Sequence, residues 1–232
     1  MVAERLAVLY PGAECELVHE TPFQLLAATI LSAQCTDARV NMVTPVLFAR
    51  YPDAPAMASA DVADVEEIVR STGFFATKAR NLVGMAVAVM ERYGGEVPTE
   101  LDDLVTLPGV GRKTGNVLRS VAFDLPGLAV DTHVGRLSRR LGLTVEEDPV
   151  KVERDLNALI PPEEWGRFSL RLILHGRRIC DARKPRCTDC ELADVCPSAA
   201  PTPSASSTRT AARPKTTAKT DPAPVRTKRQ AT

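Results

Sequence analysis

The run Leu107-Pro108-Gly109-Val110-Gly111-Arg112-Lys113-Thr114-Gly115-Asn116 constrains this chain more than any other stretch. Glu100 to Leu107 on its left reads as a short helix, and Arg112 to Phe123 on its right reads as a second. Pro108 to Gly111 must therefore be a hairpin between them. Glycines at 109 and 111 bracket one apolar residue, Val110. They permit positive φ and close approach of the backbone to a ligand. The following helix start leaves N–H groups unpaired, with a partial positive charge. Gly109, Val110 and Gly111 thus form a candidate phosphate clamp.

The rest of the chain reads as helix after helix. A short amphipathic start covers Glu4 to Tyr10, and Thr21 caps a helix that Pro22 opens and Leu31 closes. The polar junction Ser32-Ala33-Gln34-Cys35-Thr36-Asp37 leads into Ala38 to Ala49. A helix capped at Asp61 runs to Arg70, and Lys78 to Tyr93 carries Ala79, Leu82, Val83, Ala86, Val89 and Met90 at helical spacing before Gly94-Gly95 stops it. Helices over Val134 to Leu141, Asp148 to Leu159 and Glu163 to Arg178 follow. No segment alternates at period two, so the chain is expected to be all-α. Aromatics are only 4% of it, so the core is built mainly from Leu, Val and Ala. His175, between Ile173-Leu174 and Gly176, reads as a packed structural histidine, and Trp165 as a core anchor.

On the hairpin helix, Val117, Leu118, Val121 and Ala122 form the apolar stripe, and Arg112, Asn116 and Arg119 are expected on the opposite side. Lys113 lies at the margin, in the first turn, where a cation opposes the helix dipole. That placement disfavours the ammonium and suits a nucleophilic amine. Asp131, at the end of Leu128-Ala129-Val130-Asp131-Thr132-His133, reads as a helix cap. The backbone donors that fix a capping carboxylate also keep it ionised, so a chemical role is compatible with capping.

Cys180, Cys187, Cys190 and Cys196 fall within 17 residues at the spacing C-x6-C-x2-C-x5-C. Four thiolates on one loop can hold a tetrahedral zinc ion or a cubane iron–sulfur cluster. One close pair with wider gaps on either side favours iron–sulfur over the two close pairs usual for structural zinc. Cys15 and Cys35, distant in sequence, read as packing residues. With no basic leader and no apolar run long enough for a membrane span, the chain is expected in the cytosol, where cysteines are more often thiols or ligands than disulfides.

Formal net charge is zero, but it is unevenly spread. After Pro197 there are seven basic side chains and one acid, leaving 22 basic and 28 acidic before it: +6 for the tail and −6 for the rest. A body this acidic can bind nucleic acid only through a local basic surface. Arg177-Arg178 with Arg183, Lys184 and Arg186 beside the cysteines supplies a candidate patch. The tail over 198–232, rich in Ala, Thr, Pro and cations, is expected to be disordered.

The hairpin run, Val130-Asp131-Thr132-His133 and the cysteine loop, in that order, closely resemble the endonuclease III family of helix-hairpin-helix DNA glycosylases. The likeness extends from about Leu6 to Pro197. It implies a fold of two helical domains with a DNA cleft between them: a six-helix barrel over 15–125, and a cluster domain made of 1–14 plus 126–197 that carries a [4Fe-4S] cluster on Cys180, Cys187, Cys190 and Cys196. By the same resemblance Lys113 is the nucleophile and Asp131 its carboxylate. Gln34 is implied to fill the gap left in the duplex, with Asp37 a neighbouring active-site acid. The implied activity is that of a bifunctional glycosylase and AP lyase on double-stranded DNA containing oxidised pyrimidines or abasic sites. The bearer would be monomeric, associated with the nucleoid in a bacterial cytoplasm and free of membrane. Gly115 stands where the family is expected to have Ala, a cost of up to ~1 kcal/mol in helix propensity. Phe74-Phe75 stands where an aliphatic residue more often precedes the aromatic. The reading from a different class is a non-catalytic iron–sulfur protein that binds DNA or senses redox state, for which Lys113 would have no use.

Overall fold

The structure is a computed structural model describing residues 1–199. Among these residues it contains helices and loops and no strand. The helices are α1 Val2–Leu9, α2 Pro22–Leu31, α3 Asp37–Arg50, α4 Ala54–Ala58, α5 Val62–Val69, α6 Phe75–Tyr93, α7 Leu101–Leu104, α8 Arg112–Ala122, α9 Thr132–Arg140, α10 Pro149–Leu159 and α11 Trp165–Arg178. Of the tail expected to be disordered over 198–232, everything from residue 200 onward lies outside the described residues.

Side-chain caps set most of the helix starts. Thr21 Oγ1 accepts from the Gln24 N–H at 3.2 Å, and Asp61 Oδ1 accepts from the Ala63 N–H at 2.9 Å. Asp148 Oδ1 takes the N–H groups of Val150 and Lys151 at 3.1 and 3.0 Å. Each satisfies donors that a helix start leaves orphaned. The same device explains α4, which the sequence reading passed over. Asp53 Oδ1 accepts from the Ala56 N–H at 2.9 Å, and the five-residue helix is too short to show periodicity. α6 begins at Phe75, three residues earlier than expected, directly after a short 3-10 turn at Arg70–Thr72 and two residues of positive φ. α7 is only one turn long.

The buried apolar side chains form two clusters. The first runs from Leu17 to Leu118 and is made largely by α2 to α8; the second joins Leu6, Tyr10 and Ala13 to residues of α9, α10 and α11. α8 packs against α2, α7 and α11, so it touches elements of both clusters.

The inward face of α8 differs from the expected stripe. Its buried residues are Gly115, Asn116 and Leu118. Asn116, expected on the outer side, is 3% exposed and donates its Nδ2–H to the Leu128 carbonyl at 3.1 Å. The amide is turned inward because it has a backbone acceptor there, and a buried polar group with a partner is tolerated where one without is not. Arg119, half-buried, donates to the carbonyls of Pro126 and Thr99. At Gly115 a Cβ would lie 2.6 Å from Leu101 Cδ1. The glycine thus gives α7 room against α8, a packing gain set against its propensity cost.

Arg112 makes a two-point ion pair from α8 to α10, with Nε and Nη2 donating to the Glu153 carboxylate at 2.8 and 2.7 Å. Glu153 is buried, so this forked geometry meets the requirement of a desolvated carboxylate for well-placed donors.

Candidate active site and nucleic-acid interface

The hairpin between α7 and α8 is a tight turn in which the Val110 N–H donates to the Leu107 carbonyl at 3.1 Å. Only Gly109 uses positive φ, at +77°, and a Cβ there would also approach Asn81 to 2.9 Å. Gly111 is extended, at φ −96° and ψ 174°, with nothing near its Cβ position. The two glycines therefore act differently: the first shapes the turn against α6, and the second leaves open space at the helix start. Val110 sends its side chain into the first core, so only its backbone is on offer. Gly111 provides no side-chain cap, leaving the first-turn N–H groups of α8 to an outside acceptor.

Lys113 is exposed in that first turn. Asp131 caps α9, its Oδ1 accepting from the Val134 N–H at 2.8 Å. Both residues line a cleft of about 780 Å³, and both also border a neighbouring one of about 900 Å³ with Arg136 and Arg139 on its wall. The amine and the carboxylate thus stand on the ridge between two openings.

Asp37 shares the first cleft with Cys15 and Glu16, which the sequence assigned to no site, and with Arg177, which it placed in the basic patch. Arg177 donates to the Glu16 carboxylate at 2.8 Å and to that of Asp37 at 3.3 Å. Burial works against its charge, but the two carboxylates prevail and hold the guanidinium more firmly protonated than a free arginine. Arg177 therefore belongs to the cleft and not to the basic patch. Cys15 also differs from expectation, since it lines the cleft as well as packing on the first core, and burial pushes its thiol up. Arg177 lies 161 positions from Glu16 and 140 from Asp37 in sequence, and no local pattern announces their meeting.

Gln34 and Phe74 are both exposed and both left-handed, with φ of +53° and +48°. Non-glycine residues rarely adopt that conformation, and where they do the surroundings have to hold them. Phe74 is 66% exposed, a large aromatic in water. Arg183 and Lys184 are exposed, and neither makes a hydrogen bond or ion pair among the described residues. Arg186, also exposed, hydrogen-bonds the Arg178 carbonyl, while Arg178 stacks over the Tyr10 ring at 5.7 Å.

Cys180, Cys187, Cys190 and Cys196 line one cavity of about 450 Å³, walled also by Leu137, Leu141 and Ile179. Arg140 donates to Cys180 Sγ at 3.2 Å, and His175 Nε2 lies 3.5 Å from Cys190 Sγ. Burial, reinforced by the neighbouring cysteines, pushes the Cys190 thiol up. Among the described residues no three His, Cys, Asp or Glu side chains converge tightly enough for a single metal ion. Four sulfurs around an apolar space, with a guanidinium on one of them, fit a larger, thiolate-bound, net anionic body. His175 is buried and bonded to the Tyr10 hydroxyl at 3.0 Å, as a structural histidine should be.

Residues 27–162 match the HhH-GPD superfamily of base excision DNA repair proteins. Endonuclease III of Synechocystis sp. is 57% identical over 195 residues, spanning 84% of this chain and 89% of the relative. The chain belongs to the endonuclease III family. A solved non-covalent endonuclease III–DNA complex is 44% identical, with a TM-score of 0.81 over 85% of this chain and 93% of the other. A trapped endonuclease III–DNA covalent intermediate matches to the same extent. As a member of this family the chain is a DNA glycosylase and AP lyase of base excision repair. No helix of the described residues is long and apolar enough to cross a membrane.

The unequal glycines give a stability test by thermal unfolding. Gly109→Ala is expected to cost about 1–3 kcal/mol, from strain at positive φ and the clash with Asn81. Gly111→Ala is expected to stay within about 0.5 kcal/mol of the parent.

Proposed function

We propose that this chain removes oxidised pyrimidines of the thymine glycol type from duplex DNA and then cuts the strand 3′ to the abasic site, acting as a monomer on the bacterial nucleoid. Lys113 is the nucleophile and Asp131 its carboxylate. The observation that carries this reading is their placement on one cleft, each at a helix start. A non-catalytic binder would have no need of an amine there.

The chemistry follows from the groups present. A base inside a duplex shields its own sugar, so the damaged nucleotide has to leave the stack, at a cost of a few kcal/mol that is lower for a lesion. Gln34 occupies the gap and Phe74 presses on the opposite strand; exposure and a preset backbone support both roles. The backbone from Gly109 to Gly111 and the first-turn N–H groups of α8 grip a phosphate, and Arg183, Lys184 and Arg186 neutralise others.

The lone pair of the Lys113 Nζ then forms a bond to the deoxyribose C1′ as the glycosidic C–N bond breaks, and the departing base takes up a proton. Asp131 stabilises positive charge on the sugar and accepts the proton released from the attacking amine. Asp131 then returns that proton to O4′ as the C1′–O4′ bond breaks and the nitrogen lone pair forms the Schiff base, which acidifies the C2′ hydrogen. Loss of that proton expels the 3′ phosphate by β-elimination, and hydrolysis of the imine frees the lysine. No added oxidant or reductant is needed.

Cys180, Cys187, Cys190 and Cys196 hold a [4Fe-4S] cluster, which ties the loop bearing Arg183, Lys184 and Arg186 to the second core and supplies an electron-transfer group. The two apolar clusters support a division into a barrel domain over 15–125 and a cluster domain of 1–14 with 126–197.

Borohydride reduction of the protein on a thymine glycol duplex is expected to leave a covalent adduct, and Lys113→Ala is expected to leave none; an adduct from the variant would overturn the assignment. For the metal, the purified protein is expected to be brown, with broad visible absorption and about four irons per chain. A colourless protein with stoichiometric zinc would contradict the cluster.

A further inference from the structure

Lys78 is the buried charge that the chemistry above leaves unused. It sits in the first turn of α6 with 4% exposure. Its ammonium donates to the Thr72 carbonyl at 2.7 Å and makes no ion pair among the described residues. Burial lowers its hold on the proton, with the Cys35 thiol acting the other way. A buried lysine without a carboxylate is costly and needs a reason to be kept.

Its surroundings supply one. Thr72 ends the 3-10 turn directly before Gly73, at φ +71°, and Phe74, at φ +48°. The Thr72 hydroxyl is itself tied to the Val69 carbonyl at 2.8 Å. On the other side Cys35, within electrostatic reach of Lys78, directly follows Gln34, at φ +53°. Lys78 therefore anchors the carbonyl directly before one strained tip, and Cys35, next to the other, packs on the same first core. The same helix receives the hairpin one and two turns further on, where Gly109 closes on Asn81 and Pro108 meets Gly84. Strained backbone of this kind persists only where its support over-determines it.

We propose that Lys78 is a positioning residue, whose buried ammonium holds the Gly73–Phe74 loop by the Thr72 carbonyl beside the Gln34 tip, so that the two side chains enter the duplex as a fixed pair. It touches neither substrate nor reacting atoms. Its effect falls on extrusion of a paired base, the step that needs both probes in place, and not on attack at C1′. This rests on the reading of Gln34 and Phe74 as the probes.

The test uses the full chain as purified, with Lys78→Met, Phe74→Ala and the double variant. Single-turnover release of thymine glycol from a duplex is expected to slow about tenfold in Lys78→Met. A similar loss is expected in Phe74→Ala, and the double variant should be no slower than the slower single. Borohydride trapping on a duplex that already holds an abasic site is expected to stay within about twofold of the parent in Lys78→Met, since no paired base has to be expelled. Base release at the parental rate, losses that multiply, or an equal loss in trapping would each overturn the proposal. Lys78→Gln, which keeps a donor without the charge, is a second arm against misfolding. Partial recovery of base release supports positioning through the hydrogen bond, and a loss as large as the methionine variant's counts against it. Failure of the parent chain to form any adduct would instead defeat the catalytic reading itself.

Discussion

The hydrogen bond from the buried Asn116 amide to the Leu128 carbonyl is the contact on which the geometry of this site depends. Lys113 lies one turn before Asn116 on α8, and Asp131 lies three residues after Leu128. The bond therefore ties the segment that carries the carboxylate to the helix that carries the amine. Two other features make the clamp close. Gly127 has no room for a side chain, since a Cβ would come within 2.4 Å of the Asn116 carbonyl oxygen. Ser169, on α11, donates to the Ala129 carbonyl at 2.6 Å from the other side. An extended segment with buried carbonyls needs such partners, because each one left unmet costs about 1–3 kcal/mol.

Charge pairs complete the frame at its edges. Arg112 joins α8 to α10 through the buried Glu153, and Arg177 brings α11 to Glu16 and Asp37 across the cleft. In a chain whose first 197 residues carry excess acid, these arginines are paired with carboxylates, whereas the exposed Arg183 and Lys184 near the cysteine loop have no such partner among the described residues. Truncating the exposed Arg112 would leave the buried Glu153 carboxylate unpaired, a far larger effect than loss of a surface ion pair.

Much of this was legible in the sequence because it rests on backbone chemistry or close spacing. Pro108, Gly109 and Gly111 announce a hairpin, Asp131 announces a cap, and four cysteines within 17 residues announce the single cavity that they line. The polar interior was not legible. Asn116 reads as outward by residue type and Lys78 carries no signal beyond a helix start, yet each turns inward to a carbonyl supplied by another loop. The meeting of Glu16 and Cys15 with Arg177, which by sequence belonged with the basic patch, carries no local signal because it depends on how α11 packs. Helix starts shifted by two or three residues where a 3-10 turn precedes them, as at Phe75 and Trp165.

The most direct test of the clamp is the rate of borohydride trapping on an abasic-site duplex by Asn116→Ala, at a temperature where circular dichroism shows the variant fully folded. Loss of the amide should let the Leu128–Asp131 segment shift against α8, so trapping is expected to slow by about tenfold or more while helix content is kept. Trapping at the parental rate in a folded variant would contradict the claim that this bond sets Lys113 and Asp131 against the same cleft.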